Sequence, residues 1–350
     1  MQDDDPPVDK TKPLALDSAE AGLPGPGNLM GSSDETLESW DDFPRARRPL
    51  LARDLSSRRR RIWLPALLFF ATCLSTWWAG ASYWEPFQYV GFGGPGDSWR
   101  GIVLQRHHEG FVYMACVVGI LLAHEMGHYV ATLIYRIPAS LPYFIPFPLA
   151  PIGTMGAVIG MEGFRANRRQ IFDIGLAGPI AGLIIAAPIL WLGVARLDLS
   201  EPGRGNYRYD CPLVARWMIA RQHPDHAEVT GLQVSQMNPY FVAGWVGLLI
   251  TGLNMLPVSQ LDGGHVTYTL FGKKAHWIAR LFVAGAVFYM LFSRTLMWGL
   301  MLLLVLVIGT DHPPTANDRV PLGWPRAVLG FVSLSIPILC FPPRGLWPVP

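Results

Sequence analysis

Apolar residues run in long stretches along this chain, and short polar stretches between them hold most of the charge. Seven runs reach or approach the roughly 20 residues needed to cross a bilayer: 62–82, 110–135, 173–195, 240–261, 277–293, 295–310 and 326–342. The last is short and broken by proline, so the pattern predicts an all-α polytopic membrane protein with six to seven transmembrane helices. Residues 137–172 break this pattern. They hold several prolines and then GTMGAVIGMEGF, with strand-like Val and Ile spaced by Gly. That segment is too broken for a spanning helix and too apolar for a solvated loop. It is expected to form short strands or a re-entrant region at membrane depth, its backbone covered by protein or a watery cavity. Residues 197–238 read as a polar loop on the outer side, at about 40 residues too short for a typical domain.

Composition agrees with this reading: 51% of the 350 residues are hydrophobic and 15% charged, where soluble domains carry about a quarter charged. Many of the 13 Trp lie near the ends of apolar runs, as in an aromatic belt. The formal charge of +2 says little, but its placement is informative. Arg58, Arg59, Arg60 and Arg61 precede the first run. Strict alternation then returns Arg136, Arg165, Arg168, Arg169, Lys273, Lys274 and Arg319 to the same side. The positive-inside rule puts that side, and the N-terminus, in the cytoplasm. The arginine cluster reads as a topology anchor, and no nucleic-acid partner is expected. The acidic, Pro-rich start resembles neither a signal peptide nor a transit peptide, which favours a bacterial inner membrane. Four cysteines without a CxxC pair suggest neither a disulfide framework nor a structural zinc site.

The expected organisation is a disordered extension over 1–57, a first helix and outer loop over 58–109, a core over 110–315, and a C-terminal transmembrane or re-entrant segment over 316–350.

Inside the second run lies AHEMGHY, an HExxH pattern. On a helix, His124 and His128 share one face and can both reach one metal ion, with Glu125 beside it as general base for an attacking water. Such groups are costly in hydrocarbon and mark function by default; bonds between neighbouring helices are the plainer explanation. A catalytic zinc site normally has three protein ligands and an open position. The soluble-protease continuation would need a third His where Ile134 stands. Asp262 is the candidate instead, because the topology returns it to the cytoplasmic half. His124 and His128 lie about 12–18 Å up the helix from Arg136, so both motifs can meet at similar depth.

His124-Glu125-Met126-Gly127-His128, taken with Asn254-Met255-Leu256-Pro257-Val258-Ser259-Gln260-Leu261-Asp262-Gly263, resembles the site-2 protease family of intramembrane zinc metalloproteases over about residues 105–315. That family pairs HExxH on one helix with NxxPxxxLDG on another. The resemblance implies one zinc ion per chain on His124, His128 and Asp262, with Glu125 as general base. It implies a transmembrane protein as substrate, in the lipid bilayer. Asn254 matches the family's Asn, either donating to the scissile carbonyl or simply bonding between helices. The loop at 197–238, with no inserted domain, is similar to compact members lacking a PDZ module. GTMGAVIGM, residues 153–161, resembles the family's strand region and is a candidate edge for an unwound substrate, with plain packing as the alternative.

Other candidates are weaker. Pro257 is expected to kink or end the fourth run, and Gly263 and Gly264 to permit tight packing. His265 is a possible further zinc neighbour. His107 and His108 are placed just outside the second span, Asp173 at a helix start, and Asp311 and His312 at a helix end or a site entrance. Two other functions fit the same residues: an inactive relative that binds membrane proteins, and a metal-handling protein. An intact Glu125 and the lack of an internal repeat argue against each in turn. Oligomeric state is left open.

Overall fold

A computed structural model describes residues 62–86, 99–258, 260–293, 298–342 and 344–349. The 1–57 extension and the Arg58–Arg61 cluster lie outside these residues. The protein is mostly helical. Among the described residues, four helices are long and apolar enough to cross a membrane: Trp63–Ala81, Leu104–Ile134, Arg168–Val194 and Asp262–Ser293. The first is α1; the second lies within α2, Trp99–Ile134. The third is α3, Arg168–Val194. The fourth comprises α6, Asp262–Phe271, and α7, Ala275–Ser293, joined by a 3-10 turn at Gly272–Lys274. The other expected spans are shorter. Pro239–Asn254 (α5), Gly299–Ile308 (α8), and the pair Trp324–Ser333 (α9) and Ile336–Cys340 (α10) stand in their places.

The 137–172 segment contains an antiparallel hairpin, Tyr143–Pro146 (β1) with Thr154–Val158 (β2), in the register Tyr143↔Val158 and Phe144↔Ala157. Its β1 strand packs on α1. The helix that follows starts five residues earlier than Asp173, at Arg168. Asn167 caps it, accepting from the amides of Arg169 and Gln170, while the Gln170 side chain returns to the Asn167 amide. This reciprocal cap satisfies donors that a helix start leaves open. Asp173 therefore sits inside the first turns of α3. It receives Arg326 Nε at 2.8 Å and Nη2 at 2.9 Å, and the Tyr135 hydroxyl.

The polar loop is folded. Tyr207–Asp210 (β3), Leu213–Gln222 (α4) and Gly231–Gln233 (β4) form a cap, completed by Leu346–Pro348 (β5) from the far end of the chain. Tyr209, Cys211, Ile219 and Leu232 share one core with Phe241 and Trp245 of α5. Asp210, 2% exposed, accepts from Arg216 Nη2 at 2.9 Å and from the Arg344 amide at 3.0 Å. Burial pushes the Cys211 thiol up to about 12, so it is inert. The C-terminal segment thus travels from the level of the start of α3, at Arg326, to beyond its end, at β5.

The centre is a close stack of α2, α3 and α5. At Gly244 a side chain would come within 2.6 Å of the Leu190 backbone, so the helices touch there at backbone distance, as small-residue contacts allow in membranes.

Candidate metal centre

His124 and His128 project from α2 toward the first residue of α6, Asp262. His124 Nε2 is 3.2 Å from His128 Nε2 and 3.2 Å from Asp262 Oδ2, and His128 Nε2 is 3.3 Å from Asp262 Oδ1. One ligand atom from each of the three lies within 4.8 Å of the others. The tautomer of His128 follows from its far side. Its Nδ1 lies 2.8 Å from the Ile174 carbonyl, which can only accept, so Nδ1 carries the proton and Nε2 presents a lone pair to the centre. Ligating histidines are oriented in this way.

Asp262 reaches this depth because α5 ends at Asn254, three residues before Pro257, and the chain turns to begin α6. A side chain at Gly263 would collide with the Met255 carbonyl, so that turn needs glycine. Asn254 Nδ2 is 3.2 Å from His124 Nε2, which places its amide beside the ligands. Glu125 is 4% exposed and His124 2%. All five residues line one cavity of about 180 Å³, with Ala157, Val158 and Ile159 of the β2 region forming another wall.

The residues fit a zinc ion. Two imidazole nitrogens and a carboxylate oxygen are a zinc donor set, and three protein ligands leave a position open. His124 is buried and His128 and Asp262 are half-buried. Ligand atoms of this kind gathered at one point in a helical core are costly to desolvate unless a cation or a proton lies between them.

Space for the ligands comes from residues the sequence reading passed over. Gly175, Gly178 and Gly182 lie along α3, opposite the histidines. A Cβ at Gly178 would overlap His128 Nε2; at Gly182 it would lie 3.1 Å from His124 Nδ1, and at Gly175 2.9 Å from His265 Cβ. Their spacing of three and four residues, one helical face, was the available signal.

His265 lines the cavity but turns Nδ1 to His312 Nε2, at 2.6 Å. It is not among the three clustered ligands. His312 is 7% exposed and stacks on Tyr268, with ring centroids 4.4 Å apart. Asp311 pairs with Arg280 at 3.0 Å. These two residues thus fasten the loop after α8 onto α6 and α7, while the residue that ends α8 is Gly309. His107 and His108 lie within α2, which begins at Trp99.

The helices and this centre define a polytopic membrane protein with a two-histidine, one-carboxylate site of the metallohydrolase type. A model of Peptidase family M50 matches residues 112–297, more than half of the 350. The chain belongs to that family, the site-2 protease family. It is 32% identical over 241 residues to "Probable zinc metalloprotease EGY1, chloroplastic" of Arabidopsis thaliana, covering 65% of this chain and 42% of that protein. Against the Oryza sativa subsp. japonica protein of the same name it is 33% identical over 251 residues, 66% of this chain and 40% of the relative. "Probable zinc metalloprotease EGY2, chloroplastic" of Oryza sativa subsp. indica is 26% identical over 238 residues, 66% and 41% of the two chains. The chain thus spans about two fifths of the length of these relatives.

Proposed function

We propose that this chain is a zinc endopeptidase that hydrolyses peptide bonds in or near the transmembrane segments of membrane-anchored proteins. The observation that carries this reading is the convergence of His124, His128 and Asp262 inside a helical core, with Glu125 lining the same cavity. The names of the relatives, probable zinc metalloproteases, support it. A zinc ion held by these three side chains supplies a Lewis acid and lowers the pKa of water to about 7.

The chain's own groups do the rest. Glu125 takes a proton from water as the C–O bond forms, and delivers it to the amine nitrogen as the C–N bond breaks. Asn254 donates from Nδ2 to the carbonyl oxygen as that oxygen gains negative charge. A substrate helix hides its amides in internal hydrogen bonds, so it must unwind, and its freed backbone groups need partners. The β2 edge beside the cavity offers them by strand addition.

The end of the helices that carries Arg136, Arg165, Arg168 and Arg169 faces the cytoplasm of a bacterium, the side on which basic segments are retained, or the corresponding inner side in a chloroplast. The chloroplastic names of the relatives add the second compartment to the bacterial inner membrane expected from sequence.

The test compares membranes holding the wild type with membranes holding Glu125→Gln, by mass spectrometry of membrane-protein fragments and by zinc content. A membrane protein accumulating intact or as a longer stub only in Glu125→Gln, with zinc retained, is the expected result. Identical fragment profiles, with a cleavable membrane protein present, contradict the reading.

A further inference from the structure

The cap carries a surface that the reaction does not use. On α4, Leu213 and Trp217 are 48% and 62% exposed, one turn apart on one face. Ala215, Met218 and Ile219 on the other side are buried. A helix apolar on both faces has a second apolar medium to meet.

The position of the outward face says which medium. On α3, Arg169 stands near the start and Trp191 near the end. The 22 residue steps between them (191 − 169) rise about 33 Å, close to the roughly 30 Å thickness of the hydrocarbon core. With Arg169 at one interface, Trp191 falls at the other, where Trp is favoured. α4 is tied to that level at three points. The Trp217 and Trp191 ring centroids are 6.3 Å apart. Gln222 Nε2 donates to the Trp191 carbonyl at 3.3 Å, and His223 Nε2 to the Val194 carbonyl at 2.8 Å. Exposed cations lie at the same end: Arg221 on α4 and Arg196 after α3, the latter 4.8 Å from the centroid of the Tyr240 ring. Aromatic and aliphatic side chains on the exposed face, with cations around it, are the layout of a helix in the plane of a membrane interface.

We propose that α4 is such a helix. Leu213 and Trp217 lie among the headgroups and upper acyl chains of the leaflet opposite the basic loops, and Arg196 and Arg221 reach lipid phosphates. The proposal rests on α3 crossing the membrane and not on proteolysis, so its test needs no substrate. The anchor fixes the depth of the cap and of the start of α5, where Asn238 Nδ2 is held by the Gly193 carbonyl at 2.9 Å.

The experiment places a nitroxide at position 217, through Trp217→Cys, and a control at the exposed Glu228 of the same cap, through Glu228→Cys. The full chain, with its four native cysteines replaced, is reconstituted in phosphatidylcholine–phosphatidylglycerol vesicles. Collisions are then measured with oxygen and with a water-soluble nickel complex. The expected result is a gain of oxygen over nickel collisions at 217 and the reverse at 228. Nickel access at 217 equal to that at 228 would overturn the proposal, as would a label shielded from both reagents. Should the cysteine-free chain fail to fold, the emission difference between the wild type and Trp217→Phe is read in vesicles of lipid brominated near the headgroup. Loss of that difference emission by quenching is expected, and unchanged emission overturns the proposal.

Discussion

Two of the cavities against the chain between α5 and α6 differ in kind. Asn254, Leu261 and Asp262 line one, of about 180 Å³, with the two histidines and Glu125. Leu256 and Val258 line the other, of about 450 Å³, with Phe282, Met290, Met301 and Phe341. The larger is a space among apolar side chains, with no cluster of potential metal ligands among the described residues that line it. The smaller gathers groups that are costly to bury unless partnered. A few residues of one connecting segment separate an apolar space from one lined by potential metal ligands. The lesson is that the placement of donors, and not the size of the void, marks the site. Backbone without side chains serves the same end: Gly178 leaves room for a ligand nitrogen, whereas a Cβ added at Gly285, in the larger cavity, would meet nothing within 4 Å.

The sharpest break in this comparison comes from one methyl group placed against His128 and one placed in the larger cavity. Gly178→Ala is expected to remove zinc from the purified chain and, with it, proteolysis. Gly285→Ala is expected to leave both unchanged. Metal analysis of the two variants checks this, and equal zinc content in both would remove the special status given to the smaller cavity. Next in size, Asn254→Ala is expected to lower kcat by about 10²–10³-fold, the usual cost of losing an oxyanion donor, with zinc retained. Kinetics near wild type would leave Asn254 as a bond between helices. Val158→Pro, at the β2 edge, is expected to lower turnover by up to roughly tenfold, about one backbone hydrogen bond, again with zinc retained; unchanged cleavage would argue against strand addition.

The smallest effect concerns the loop fastened by His312. Burial holds this imidazole below its usual value, and neighbouring His276 adds to the effect, against the Pro313 carbonyl and Asp318, which favour the proton. Tyr268 and His265 complete its surroundings. With the folded pKa depressed, the unfolded loop takes up the proton first. The link is therefore fully present above about pH 6.5 and weakens as pH falls below it. Amide exchange over 309–318, corrected for intrinsic rates, is expected to accelerate modestly on acidification and to show no such change in His312→Phe.

The gathering of His124, His128 and Asp262, with Glu125 in the same cavity, was legible because the proposed chemistry demands fixed residue types at fixed helical spacing. Asn254 and Asp262 were legible for the same reason, through the second motif. The glycines of α3 were not, since they contribute by lacking atoms, and no side-chain chemistry announces that. The Asn167–Gln170 cap was readable as a capping box but was passed over in favour of Asp173. The fold of 197–238 was hidden for another reason. Its sheet takes a strand from 346–348, and no local pattern reveals a partner more than a hundred residues away. Strands in 137–172 were one of two readings of the Gly-spaced Val and Ile; the pairing of Tyr143–Pro146 with Thr154–Val158 was not read from the sequence. Three of the expected spans, 240–261, 295–310 and 326–342, are met by helices of 5 to 16 residues.

The most direct test of the account is X-ray absorption spectroscopy at the zinc edge on the purified full chain, with Gly178→Ala and a double His124→Ala, His128→Ala variant alongside. The account predicts one zinc per chain bound only by nitrogen and oxygen at about 2.0–2.2 Å, and its loss in both variants. Sulfur in the zinc shell, or stoichiometric zinc persisting without the two histidines, would contradict it.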